Sequence, residues 1–167
     1  NGAYSFNGTS SSISVSNKEM TYPMTLSVWY KSNNMSYQGH ILHTAETTGD
    51  GWGGEFETHL SQNNTAYNFY MKSGTCVTHL SFGTPDLAWH HIVMVVDTTY
   101  RAYIDGVLAT SGTLSCTPNF SLTTNQLRIG RPVSSIRYLN GTLDDLRVYN
   151  KALTLGEVQD IYSANAQ

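Results

Sequence analysis

Charge is scarce in this chain. Charged side chains make up 13% of the 167 residues, about half the usual share of roughly 25%. The 9 basic and 12 acidic residues sum to −3 and form no run of either sign. That excludes the basic patch of a nucleic-acid binder and the polybasic segment of a membrane anchor. No apolar stretch approaches the roughly 20 residues that span a bilayer, so membrane insertion is not expected either. Ser, Thr, Asn, Gly and Tyr stand where charge is missing, and the first three compete with helical backbone bonds. A long helical bundle or coiled coil is therefore excluded. The 40% apolar content excludes a disordered chain.

Cysteine is equally sparse. Cys76 and Cys116 allow one pairing; the alternative is two separate buried thiols. Low Lys content and the triplets beginning at Asn7, Asn34, Asn63, Asn119 and Asn140, each Asn-x-Ser/Thr, fit an extracellular setting, secreted or on a cell or virion surface, where a disulfide persists. The chain starts at Asn1, as a processed protein or a domain of a larger one would.

What is abundant is alternation with period two. Tyr4 and Phe6 with Ile13 and Val15 read as a strand pair around Asn7-Gly8. Leu26, Val28 and Tyr30 alternate with Ser27, Trp29 and Lys31, and a short strand follows at Ile41-Leu42. Strands are expected at 56–60, 67–72, 76–82, 89–97, 100–104, 107–110, 126–133 and 142–149. The strand from Trp89 is apolar on both faces, which places it centrally with both faces covered. Asp105-Gly106 is a two-residue hairpin turn. About ten to twelve short strands at this spacing indicate one all-β domain over residues 1–167. Near the end, Thr154-Leu155-Gly156-Glu157 reads as a capping box, with Leu153 and Val158 as a hydrophobic staple. The short helix that follows must pack on a sheet through Val158, Ile161 and Tyr162.

The order of segments carries a resemblance. Phe6-Asn7-Gly8, Thr25-Leu26-Ser27-Val28-Trp29-Tyr30, Trp89-His90-His91-Ile92-Val93, Tyr103-Ile104-Asp105-Gly106, Leu127-Arg128-Ile129-Gly130 and the run from Leu139 to Leu153 follow one another. Together they resemble the laminin-G-like, concanavalin A-like lectin/glucanase superfamily. The resemblance implies a jelly-roll β-sandwich of two antiparallel sheets with one short C-terminal helix. It covers nearly the whole chain, and it leaves function open, because this fold hosts lectins, enzymes, protein-binding modules and spacers.

The resemblance also implies a concave sheet and end loops that bind sugars, often near calcium. Aromatic faces stack on pyranose rings and planar polar groups bond paired hydroxyls. The stacking candidates are Trp52, flanked by glycines, then Tyr67, Tyr70 and Tyr138; Arg131 is a hydroxyl-binding candidate. Trp29 and Trp89 match the family's core and read as structural. Glu55, Glu57 and His59 alternate and share a face if Phe56 lies in a strand. The plainest reading of that face is a solvated strand, and a glycan contact is the functional one. Adjacent carboxylates can approach the separation of about 5–5.5 Å of a retaining glycosidase, but the third carboxylate of the glucanase pattern Glu-x-Asp-x-x-Glu is missing. His40 and His43 are expected on opposite faces of a strand, as are His90 and His91, which argues against zinc. Calcium has a better claim: the positions that match the relatives' ion site are Asn7, Gly8 and Asp144, with Asp145 as the alternate carboxylate.

The expectation is a non-catalytic carbohydrate-binding module whose partner is a glycan or polysaccharide. The runner-up is an adhesion or assembly domain that holds other domains or subunits of a larger surface protein. A small polysaccharide-degrading enzyme, resting on Glu55 and Glu57, comes third.

Overall fold

The computed structural model describes residues 2–15, 21–34, 39–45, 56–117, 126–132 and 137–165. Over these residues the chain forms β1 (Tyr4–Asn7), β2 (Ile13–Val15), β3 (Met24–Ser32), β4 (Gly39–Ala45), β5 (Phe56–Gln62), β6 (Tyr67–Ser73), β7 (Cys76–Phe82), β8 (Trp89–Val96), β9 (Thr99–Ile104), β10 (Val107–Thr113), β11 (Gln126–Ile129), β12 (Asn140–Tyr149) and α1 (Leu155–Asn165). They build two six-stranded sheets, ordered β1-β12-β3-β8-β9-β10 and β2-β11-β4-β5-β6-β7. Neighbouring strands run antiparallel throughout. The expected jelly-roll sandwich is present.

Alternation decides what lies between the sheets. Leu26, Val28 and Tyr30 of β3 and Ile92, Met94 and Val96 of β8 point inward. They meet Leu60, Tyr67, Phe69, Met71 and Phe82 of the second sheet. Each such side chain contributes about 1.5–3 kcal/mol by leaving water. The other face of β8 is covered as well. Val93 and Val95 pack with Tyr103, Leu153 and Val158 under α1. This is why β8 reads as apolar on both faces.

The helix begins as its sequence predicts. The Glu157 N–H donates to Thr154 Oγ1 at 3.3 Å, and Glu157 Oε2 accepts the Thr154 N–H at 2.8 Å. Tyr162 then lies along Trp29, with ring centres 5.7 Å apart. At the turn between β9 and β10, Asp105 and Gly106 have φ of 52° and 74°, the doubly positive pair a type I′ hairpin requires. Gly130 is demanded by packing: a Cβ there would lie 2.2 Å from the Phe6 ring.

One expected pairing is absent. β1 and β2 flank Asn7-Gly8 but do not pair with each other; β1 joins β12 in the first sheet and β2 joins β11 in the second. The turn sends the chain from one layer to the other, and alternation within each short strand cannot report that. At the far side, β7 and β10 are the free edges of the two sheets. The disulfide Cys76–Cys116, with Cα atoms 5.6 Å apart, ties the start of β7 to the segment that follows β10. Two separate thiols are thereby excluded.

Candidate functional site

The outer face of the second sheet gathers polar and aromatic side chains in rows set by strand register. Arg128 pairs with His43, His43 with His59, His59 with Tyr70, and Tyr70 with His79. A second row runs His40, Ser61, Asn68, Ser81, and a third runs Ala45, Glu57, Lys72, Val77. Of these, His79 and Ser81 are exposed and Tyr70, Lys72 and Arg128 half-buried, whereas His40, His43, Ser61 and Asn68 are buried. The Tyr70 and His79 rings meet edge to face at 6.2 Å. Asn68 Oδ1 accepts the Ser81 hydroxyl at 2.8 Å, and its Nδ2 donates to the Ala66 carbonyl at 3.2 Å. Among the described residues of this sheet, Glu57 is the one carboxylate, against Lys72 and Arg128.

β4 brings His40 and His43 together, contrary to the expectation from spacing. The register between β4 and β5 shifts between His40 and Leu42. This bulge lets Ile41 and Leu42 both join the core, so the alternation skips one residue. The two imidazoles consequently share the outer face and lie nearly parallel, ring centres 5.4 Å apart.

Arg131 and Tyr138 form a second group beside the start of β4. The guanidinium carbon lies 5.3 Å from the Tyr138 ring centre, and Arg131 Nη1 donates to the Tyr138 hydroxyl at 3.1 Å. Arg131 Nε donates to the Pro132 carbonyl at 3.0 Å. The backbone ties this group to β4, since the His40 N–H donates to the Arg137 carbonyl and the Gly130 N–H to the Ile41 carbonyl.

Tyr67 does not belong to the site. Its side chain is 1% exposed, with its ring near Tyr30 at 6.4 Å and Phe82 at 6.0 Å. Burial, with a smaller effect of Tyr30, pushes its hydroxyl far above the usual phenol range. Tyr67 and Tyr70 lie three positions apart on one strand, so only one of them can face outward. Glu57 and His59 take outer-face register positions in β5. Trp52 and Glu55, and the side chains of Glu57 and His59, lie outside the described residues.

The expected calcium ligands do not converge. Asn7 pairs with Asn140, while Tyr4 pairs with Leu143 next to Asp144. Four residues of strand, about 13 Å, therefore separate Asn7 from Asp144. Asn7 Oδ1 is instead a turn acceptor for the N–H groups of Thr9, Ser10 and Ser11 at 3.0, 2.9 and 3.0 Å. The Gly8 N–H donates to the Leu139 carbonyl at 2.8 Å. Asp144 Oδ1 accepts the Asp145 N–H at 2.8 Å, and Asp145 Oδ1 accepts Arg147 Nε at 2.7 Å. Among the described residues, no three His, Cys, Asp or Glu side chains surround one metal position. A cavity of about 230 Å³ lies nearby, lined by Tyr4, Phe6, Ile13, Ile129, Leu143 and Leu146 with Asp144 and Asp145. Its mostly apolar wall lacks the paired polar groups of the outer face.

Sequence reasoning missed Asn68, His79 and Arg128 as residues of the same sheet face as Tyr70. Alternation from Tyr70 would have found Asn68. The other two depend on which strands are neighbours, a property of topology.

Comparison with known proteins places this geometry in a family. Among curated proteins, none matches the chain by sequence. Among solved structures, a native heptameric SAP-like pentraxin from Limulus polyphemus is similar over 96% of this chain and 81% of its own, with 19% identity and a TM-score of 0.72. Domain 4 of AbnA, a GH43 extracellular arabinanase from Geobacillus stearothermophilus, in complex with arabinotriose, is similar over 96% and 76%, with 20% identity and a TM-score of 0.73. The CBM40 of the Ruminococcus gnavus IT-sialidase, bound to α2,3 sialyllactose, is similar over 92% and 97%, with 13% identity and a TM-score of 0.70. At these identities the likenesses establish the fold. The family model described as the concanavalin A-like lectin/glucanases superfamily matches residues 7–159, and the chain belongs to that superfamily.

Proposed function

We propose that this chain is a non-catalytic carbohydrate-binding module of a secreted, cell-surface or virion protein. Its ligand lies on the outer face of the second sheet and the neighbouring loops. The observation that carries this reading is the accessible part of that face on β6 and β7, where half-buried Tyr70 meets exposed His79 at 6.2 Å beside Lys72 and Ser81. It sets an aromatic ring among planar and hydroxyl donors, the combination a sugar ring and its hydroxyls require. Tyr70 supplies a stacking face, together with Trp52 from the segment joining β4 to β5. Glu55, Glu57, His59 and the Arg131–Tyr138 pair bond hydroxyls. Affinity per site is modest, since each sugar hydroxyl exchanges a water bond for a protein bond at a net gain of about 0.5–1.5 kcal/mol.

The sugar-bound arabinanase domain and CBM40 support the reading. The disulfide supports an oxidising compartment. Among the described residues, no helix is long and apolar enough to cross a membrane. A second reading, an assembly or adhesion domain, is favoured by the heptameric pentraxin among the similar structures. A glycan and polysaccharide array, run with calcium and again with chelator, separates them. Sugar binding supports the module, and its loss in chelator adds calcium to the site through oxygens other than the Asn7, Gly8, Asp144 set. A blank array together with self-association favours assembly.

A further inference from the structure

We propose that Asn63 is an N-glycosylation site, carrying an oligosaccharide on the turn between β5 and β6 when the chain passes through a secretory pathway. Its triplet is Asn63-Asn64-Thr65, the acceptor pattern Asn-x-Ser/Thr. The loop 63–66 closes on the Gln62–Tyr67 pair, and the Asn63 N–H donates to the Ala66 carbonyl at 3.0 Å. Asn63 Oδ1 is turned into that loop. It accepts the Thr65 N–H at 2.9 Å, the Thr65 hydroxyl at 2.9 Å and the Ala66 N–H at 2.8 Å, a local turn that asparagine side chains favour. Nδ2 is the end left over. It has no hydrogen-bond partner among the described residues and is not buried, and Asn64 and Thr65 beside it are exposed.

The fold separates this triplet from the others. Asn7 Nδ2 donates to Ser10 Oγ at 3.0 Å while its oxygen holds three N–H groups. Asn140 is half-buried in β12, between β1 and β3, and packs on Gly8, where an added Cβ would stand 3.1 Å from the Asn140 Cβ. A sugar on either amide crowds a contact the fold uses. Asn119, and Ser36 of the Asn34 triplet, lie outside the described residues. A glycan is bulky and solvated and needs a surface position, which the Asn63 amide supplies at no cost in hydrogen bonds. In the transfer, Asn63 Nδ2 bonds to the anomeric carbon of an oligosaccharide carried on a lipid diphosphate. The bond from that carbon to the diphosphate breaks, the diphosphate leaves with the electron pair, and the amide gives up one proton. The proposal rests on the extracellular reading and not on the ligand reading.

The test expresses the full chain behind a leader peptide in mammalian cells. Glycopeptide mass spectrometry maps it before and after peptide-N-glycosidase, which leaves Asp where a glycosylated Asn stood. The expected result is a secreted, disulfide-bonded protein that is glycosylated at Asn63 in most copies and bare at Asn140. Asn63→Asp keeps an oxygen for the turn and removes the acceptor nitrogen, so it should melt as the deglycosylated wild type does and lack that glycan. Thr65→Ser should retain it. A secreted chain with its disulfide formed but bare at Asn63 overturns the proposal and leaves the extracellular reading standing. Glycosylation at Asn140 in place of Asn63 overturns it too. Mapping the chain retained in the cells reads the same positions if secretion fails.

Discussion

Asp105 and His91 hold each other twice across the end of β8 and β9. The Asp105 N–H donates to the His91 carbonyl at 2.9 Å, and Asp105 Oδ1 accepts the His91 N–H at 2.9 Å. The second carboxylate oxygen meets His90 Nδ1 at 2.7 Å. One residue thus closes the hairpin turn and fixes the start of the central strand, which explains why Trp-His-His and Ile-Asp-Gly occur together in this chain.

Asp105→Ala should therefore destabilise the fold by about 2–4 kcal/mol, combining a positive φ on alanine with an unsatisfied main-chain donor. Asp105→Asn keeps the turn conformation and an acceptor, and should lose less. Urea midpoints at constant slope would check both.

The His90–His91 pair predicts an acid limb. Burial, opposed in part by Asp105 and Asp145, pushes the His91 imidazole down to about 4. Its Nε2 lies 2.8 Å from Ser27 Oγ. The unfolded chain takes up this proton near pH 6.5 and the folded chain does not, so stability falls as pH drops from about 6.5 to about 4, by about 3 kcal/mol. For His90, burial is outweighed by the Asp105 and Asp86 carboxylates and the imidazole is raised. Its contribution has the opposite sign: full below the unfolded value and lost as pH rises through the folded one. Comparing wild type with His91→Gln isolates the first effect. The variant should show a flatter acid limb in melting against pH, and equal slopes would contradict the assignment.

Reduction of Cys76–Cys116 should lower stability by about 2–4 kcal/mol. The bridge closes a 40-residue separation and ties β7 to the segment that follows β10. The double variant Cys76→Ser, Cys116→Ser should match the reduced wild type in denaturant unfolding and be insensitive to reductant.

Thr154→Ala removes the hydroxyl that accepts the Glu157 N–H, and should cost about 1 kcal/mol. Because Val158 and Tyr162 carry α1 onto the first sheet, amide exchange should accelerate in the helix first, ahead of β8.

These features were legible because each is local. The capping box spans four residues, the Asp105-Gly106 turn spans two, and the two faces of β8 follow from strict alternation. What failed was non-local. Nothing in residues 4–15 says that Asn7-Gly8 passes the chain between sheets. The distance between Asn7 and Asp144 is set by the register of β1 on β12. His40 and His43 share a face because of an inserted residue in β4, of which the paired apolars Ile41-Leu42 are the faint trace. Tyr67 differs: its odd spacing from Tyr70 was enough to show that the two could not both face outward.

The account rests on the outer face of the second sheet, and a ligand titration tests it most directly. For the strongest glycan found on an array, Tyr70→Ala should weaken binding about tenfold or more, a loss of roughly 1.4 kcal/mol. Tyr4→Ala, which removes an aromatic side chain 65% exposed on the opposite sheet's edge, should leave it unchanged. Loss of binding in Tyr4→Ala with full retention in Tyr70→Ala would contradict the account and move the ligand to the β1 edge.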